Sequence, residues 1–158
     1  MPNITPFLWF NNEAVAAARF YVSVFKKNSK ILGTTYYPKD SPRQAGSVMT
    51  VRFRILGQEF VALNGDTQFK FSLATSFVVH CQTQREVDYY WRKLGAGGKF
   101  IQCGWLTDKF GVAWQITPTV LLKFIASKDK RKVERVVGAM MKMVKLDIKT
   151  LRQAAARK

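Results

Sequence analysis

The chain has 158 residues, 47% of them apolar and 13% aromatic, which is enough to fill one domain or two small half-domains sharing a core and too apolar for wholesale disorder. Its 26 Lys and Arg against 10 Asp and Glu give a formal charge of +16, which suits a polyanion, an acidic membrane surface or plain solvation and selects none of them. No apolar run approaches the ~18 residues of a membrane span, no basic region precedes an apolar core at the N-terminus, and Cys81 and Cys103 form neither a CxxC nor a Cys/His cluster. A cytoplasmic protein with reduced thiols and no structural zinc is therefore expected.

Ile4 to Phe10 is a compact apolar run that predicts a first strand, and Asn11-Asn12 supplies a turn and cap before Glu13, whose carboxylate suits the positive end of a helix. Glu13 to Phe25 then carries Ala16, Phe20 and Val24, with Ala17 and Tyr21, at helical spacing, and the cations Lys26-Lys27 close it. Ile31 to Tyr37 reads as a strand and Pro38 to Gly46 as a loop. Ser47 to Leu56 alternates Val48, Thr50, Arg52 and Arg54 with Met49, Val51, Phe53 and Ile55, the pattern of a half-buried strand. The turn Leu56-Gly57-Gln58 leads to a strand from Phe60 to Leu63, and Asn64-Gly65-Asp66 ends the unit.

The second half begins the same way. Ser76 to Cys81 is an apolar strand, Thr83 with Glu86 three residues on forms a capping-box pattern, and Gln84 to Leu94 is a helix stopped by Gly95-Ala-Gly-Gly98. Lys99 to Cys103 and Val112 to Thr117 supply further strands, separated by a turn around Thr107 to Gly111. At an offset of 69, Leu8 falls on Phe77, Phe10 on Val79, Tyr21 on Tyr90 and Phe25 on Leu94, which suggests two copies of one βαβββ unit, each too small to bury its own face.

Beyond Pro118 the spacing predicts helices over Val120 to Ala126, Lys130 to Lys145 and, capped by Asp147, Ile148 to Ala156. Residues 123–158 hold twelve Lys and Arg and three Asp and Glu, a net +9, against +7 over residues 1–122. No aromatic follows Phe124, so the stacking groups of a single-strand binder are missing from this tail. A solvated basic helix is the plainer reading, with nucleic acid bound only non-specifically through charge.

The residues that carry chemistry are few. His80, the one histidine, has no second imidazole to build a zinc or iron site, and Cys103 has Lys99 and Lys109 nearby but no local histidine to activate it, so the two are weak catalytic candidates. No Gly-rich loop joins a strand to a helix N-terminus, so a phosphate, dinucleotide or methyl-donor motif is not present, and no cofactor is expected. Cys103 to Thr117 is the most distinctive stretch: Trp105 and Trp114 are its largest surfaces, and Gln115 is an uncharged amide among apolar neighbours, as in the wall of a mostly apolar site. Core filling is the rival reading for both indoles.

The segments Phe7-Leu-Trp-Phe-Asn-Asn, Ala18-Arg-Phe-Tyr-Val-Ser-Val-Phe, Gly46-Ser-Val-Met-Thr-Val, Phe60-Val-Ala-Leu-Asn-Gly, Glu86-Val-Asp-Tyr-Tyr-Trp and Cys103 to Ile116 together resemble the PhnB-like family, often labelled 3-demethylubiquinone-9 3-methyltransferase, of the glyoxalase/vicinal oxygen chelate superfamily. The resemblance implies an α+β fold of two βαβββ modules, at 1–66 and 72–118, each curling a sheet around a cavity, usually in a homodimer, with 119–158 as basic C-terminal helices within one domain. It also implies a divalent metal held by a His on the first strand and a Glu on the last strand of each module. Those positions fall here near Thr5-Pro6, Thr75-Ser76, Leu63-Asn64 and at Gln115, none of which is His or Glu. The expectation is thus a metal-free binder of a small molecule, in a pocket lined by Trp9, Phe53, Asn64, Trp105, Trp114 and Gln115. The alternatives are a metal-independent or atypical-metal enzyme of the same superfamily, or a polyanion binder acting through the tail.

Overall fold

The computed structural model describes residues 2–66 and 68–157 and divides into two compact units, residues 1–70 and 71–158. Each unit holds one module with the element order strand, helix and three strands. The first is β1 (Phe7–Phe10), α1 (Ala14–Phe25), β2 (Lys30–Tyr36), β3 (Val48–Ile55) and β4 (Gln58–Asn64). Its sheet runs β1-β4-β3-β2, with β1 parallel to β4 and the other pairs antiparallel. The second is β5 (Phe77–Cys81), α2 (Gln84–Gly95), β6 (Lys99–Phe100), β7 (Trp105–Thr107) and β8 (Ala113–Pro118), in the matching order β5-β8-β7-β6. The fold is α+β, two βαβββ modules followed by C-terminal helices.

Period-two alternation divides each sheet into a face that packs on its helix and an open face. In the first module Leu8, Phe10, Val51, Phe53, Ile55, Phe60 and Ala62 are buried on the face covered by α1, whose Ala14, Ala17, Ala18, Tyr21, Val24 and Phe25 are buried too. Small residues at Ala14, Ala17 and Ala18 let the helix approach closely, and Tyr21 stacks on Phe53 at 5.9 Å, which stacks on Phe60 at 5.5 Å. Such aromatic pairs add about 0.5–1.5 kcal/mol each beyond the area they bury. The opposite face presents Phe7 and Trp9 on β1, Glu59, Val61 and Leu63 on β4, and Thr50, Arg52 and Arg54 on β3, as the register requires.

In the second module Val79, Cys81, Leu106, Trp114 and Ile116 lie against α2, which contributes Val87 and Leu94. The capping box is formed: Thr83 Oγ1 accepts from the Glu86 N–H, and Glu86 Oε2 accepts from the Thr83 N–H. At the far end Gly98 is required by close approach, because a Cβ there would lie 1.9 Å from the Thr107 carbonyl oxygen. The strand expected from Lys99 to Cys103 ends at Phe100, and a separate strand begins at Trp105. The break comes from Cys103 and Gly104, which take φ of 59° and 81°, so the chain leaves the ladder. Their N–H groups donate instead to the Met143 and Val144 carbonyls, both at 2.8 Å.

Three helices follow, α3 (Thr119–Ile125), α4 (Lys130–Met140) and α5 (Ile148–Ala156). They share a core of Leu121, Val136, Leu146, Leu151 and Ala154, with Phe124 and Met140 packed against it. Asp129 and Asp147 cap α4 and α5 by accepting from the N–H groups of Lys132 and Thr150. The helix expected to reach Lys145 stops at Met140, because residues 141–147 turn back so that the Met143 and Val144 carbonyls meet the Cys103-Gly104 bend. The segment is clamped again by Gln84, whose Nε2 donates to the Leu146 carbonyl and whose Oε1 accepts from the Ile148 N–H.

Candidate functional site

The sequence-derived pocket residues separate onto the two faces of their sheets. Phe53, Asn64 and Trp114, expected to line a cavity, are on the helix-facing side and belong to the core. Phe53 is fully enclosed by the aromatic stack. Asn64 is buried with its amide committed, Oδ1 accepting from the Ala14 N–H at 2.9 Å and Nδ2 donating to the Val48 carbonyl at 3.1 Å, so it pins the start of α1 to the sheet. Trp114 packs on Phe77 and donates Nε1–H to Asp108 Oδ2 at 2.8 Å. Asp108 is itself buried, with Oδ1 accepting from the N–H groups of Phe110 and Val112, and so organises the β7–β8 turn. Residue type alone does not reveal this; strand parity decides it.

Trp9, Trp105 and Gln115 are on open faces. Trp9 is 41% exposed, its Nε1–H donating to the Gly65 carbonyl at 3.0 Å and its ring meeting Phe69 at 5.9 Å. Trp105 and Gln115 are cross-strand partners, and Gln115 also pairs with Val78 on β5, so indole, amide and isopropyl groups share one surface. Gln115 Nε2 donates to Ser76 Oγ at 2.9 Å, which leaves its carbonyl oxygen directed by that bond. The open face of the first sheet adds a group that the alternation of β3 signalled but the pocket list omitted. Glu59 sits between Arg54 (2.5 Å) and Arg52 (3.5 Å), Arg54 holds its carboxyl below the usual value, and Arg54 Nε is buried with no hydrogen-bond partner.

The catalytic candidates are not brought together. His80 is exposed on the open side of β5, opposite Thr117, while Cys103 Sγ lies 3.7 Å from Met141 Sδ, and no hydrogen bond joins the two among the described residues. Cys81 is buried, and burial pushes its thiol up to about 12, so it is inert at neutral pH.

The parallel strand pairs of the two modules, β1 with β4 and β5 with β8, limit which positions can be equivalent. Keeping each residue on its own face, Gln115 corresponds to Val61 or Leu63 on the open face of β4. The family model described as 3-demethylubiquinone-9 3-methyltransferase matches residues 2–117. The chain belongs to this family. A solved structure described as a putative 3-demethylubiquinone-9 3-methyltransferase, PhnB protein, from Bacillus cereus is 34% identical, with 75% of this chain and 100% of that chain covered and a TM-score of 0.68. A Pseudomonas aeruginosa protein of solved structure is 20% identical over 75% of this chain and 98% of its own, TM-score 0.61. The fosfomycin resistance protein FosX from Mesorhizobium loti is 14% identical over 77% and 97%, TM-score 0.52, and shares the fold. No curated protein matches the chain. The PhnB-like family falls within the glyoxalase/vicinal oxygen chelate superfamily.

The superfamily implies a metal on the open faces, and the residues in place do not fit one. In the second module the two expected positions do meet, but as Ser76 and Gln115, a hydroxyl and an amide already bonded to one another. In the first module Val61 and Leu63, on the open face of the last strand, offer no donor atom, and the amide of Asn64 is already committed to the Ala14 N–H and the Val48 carbonyl. Among the described residues no three of His, Cys, Asp and Glu gather where they could hold an ion.

Proposed function

We propose that the protein binds a small molecule on the open faces of its sheets, without a divalent metal, as a homodimer. The observation that supports this best is the Gln115–Ser76 pair beside Trp105: a hydroxyl and a fixed amide occupy the two positions where the superfamily's chemistry needs an imidazole and a carboxylate, with an indole alongside. Trp105, across the strand pair from that amide, suits a flat apolar body of the ligand. Methyl transfer is not assigned, since no Gly-rich donor site is present in the sequence.

The test is elemental analysis of the purified protein combined with native mass spectrometry of the wild type and the Trp105→Ala and Gln115→Ala variants. A metal-free dimer retaining a small molecule, with occupancy lowered about tenfold in either variant, is the expected result; tenfold is about 1.4 kcal/mol, near the value of one buried hydrogen bond. A stoichiometric divalent ion, or equal ligand occupancy in all three proteins, would refute the proposal.

A further inference from the structure

The family match ends at residue 117, and the B. cereus relative is covered over its whole length by three quarters of this chain. Helices α3–α5 are thus an addition to the matched module. They have a core of their own and are tied to the second module by the Cys103-Gly104 bend and by Gln84, so their surface is held in a fixed geometry.

That surface is strongly cationic, with a net +9 over residues 123–158. Its three carboxylates, Asp129 and Asp147 at helix N-caps and the exposed Glu134, stand against twelve Lys and Arg. Two grooves flank α5. One is lined by Lys149, Arg152 and Gln153 with the carboxylate of Asp147, together with Gln82 and Thr83 at the start of α2. The other, between α4 and α5, carries Arg135, Lys142 and Arg157 with Glu134. Positive charge therefore stands on both sides of one helix.

We infer that this appended unit binds nucleic acid through the phosphate backbone, without reading base sequence. Arg131, Lys142, Lys149 and Arg152 are exposed, so they have the reach for phosphate oxygens. The one aromatic of the tail, Phe124, is packed into the core with Lys132 over its ring, so no platform for base stacking is offered, and a duplex fits better than a single strand. A membrane surface fits less well. The exposed residues of α4 are Lys130, Arg131, Glu134 and Gly138, and those of α5 are Lys149, Thr150, Arg152, Gln153 and Ala156, so neither helix sets a large apolar side chain among its cations; the unit's exposed apolar residues, Leu122, Ile125, Met141 and Val144, are split between α3 and the turn after α4 and form no apolar face on α4 or α5.

The experiment is fluorescence anisotropy of the full chain with two duplexes of unrelated sequence, each titrated at 50 to 200 mM salt. Wild type is compared with Arg131→Glu, Lys142→Glu, Lys149→Glu and Arg152→Glu combined, and with a charge-matched control in the first unit, Arg19→Glu, Lys27→Glu, Lys39→Glu and Lys70→Glu. The wild type should bind both duplexes equally; the tail variant should lose at least about 100-fold, with a slope of log affinity against log salt shallower by roughly 3 to 4, and the control should lose much less. Circular dichroism establishes that each variant is folded, and if the Glu set is not, the same four residues changed to Gln are read by the same criteria. Equal loss in tail and control variants, an unchanged slope in the tail variant, or binding to phosphatidylserine vesicles with none to duplex would each overturn the assignment.

Discussion

At the residue scale, the separation of Trp105 from Trp114 is the most consequential feature. The two indoles lie in one hairpin, yet one is half-buried on the open face and the other is 2% exposed beneath the sheet. Trp114 fills core volume and donates to a buried carboxylate, so truncation leaves both a cavity and an acceptor with one hydrogen bond fewer. Trp114→Ala should cost about 3–5 kcal/mol in urea unfolding, and Trp114→Phe, which keeps most of the volume but loses the N–H, about 1.5–3 kcal/mol. Trp105→Ala should cost less than 1 kcal/mol. Equal destabilisation by Trp105→Ala and Trp114→Ala would mean that the two faces have been assigned wrongly.

At the element scale, the parts legible in the sequence were those with local causes. Thr83 and Glu86 announced the start of α2, Asp147 that of α5, and the spacing in residues 14–25 that of α1, because a cap or a helical period needs only near neighbours. What was not legible needed the sheet. Cys103, a non-glycine residue at positive φ, splits one expected strand into β6 and β7, and its N–H is satisfied by a carbonyl forty residues further on. Likewise the faces of Phe53, Asn64 and Trp114 depend on register, in which a one-residue slip moves a side chain to the other side. The same division predicts two sizes of effect. Thr83→Ala removes one side of the capping box and should cost about 1 kcal/mol. Gly98→Ala drives a methyl into the Thr107 carbonyl and must displace the β7 edge, so it should cost more than Thr83→Ala. Urea titrations of both variants test this, and a neutral Gly98→Ala would show that the close approach relaxes freely.

At the scale of the whole molecule, charge and burial set a stability window in pH. On the acid side Glu59, Asp88 and Asp147 all have lowered pKa values: Glu59 through Arg54, Asp88 through Lys145 and Gln84, and Asp147 through the Thr150 hydroxyl and N–H. A carboxylate with a lowered folded pKa stabilises the fold above its unfolded pKa, and that contribution is lost as pH falls through the folded value. All three groups lie at the surface, so each contributes little, and protonating them raises a net charge that is already +16, which adds self-repulsion. On the alkaline side the sign reverses. Burial raises the Cys81 thiol from 9.0 to about 12 and raises Tyr90 above its usual value, so the neutral forms are favoured by folding. Their contribution is complete below the unfolded pKa and is lost as pH rises from about 9 towards 12. Thermal melts should therefore show a plateau near neutrality, a salt-sensitive fall below pH ~4 and a fall above pH ~9. Cys81→Ala separates the thiol from the other alkaline groups: it should lower the plateau by leaving a small cavity, yet flatten the fall above pH 9 because no thiol remains to ionise. A fall equally steep in wild type and Cys81→Ala would remove the buried thiol as its cause and leave Tyr90 and the cations to account for it.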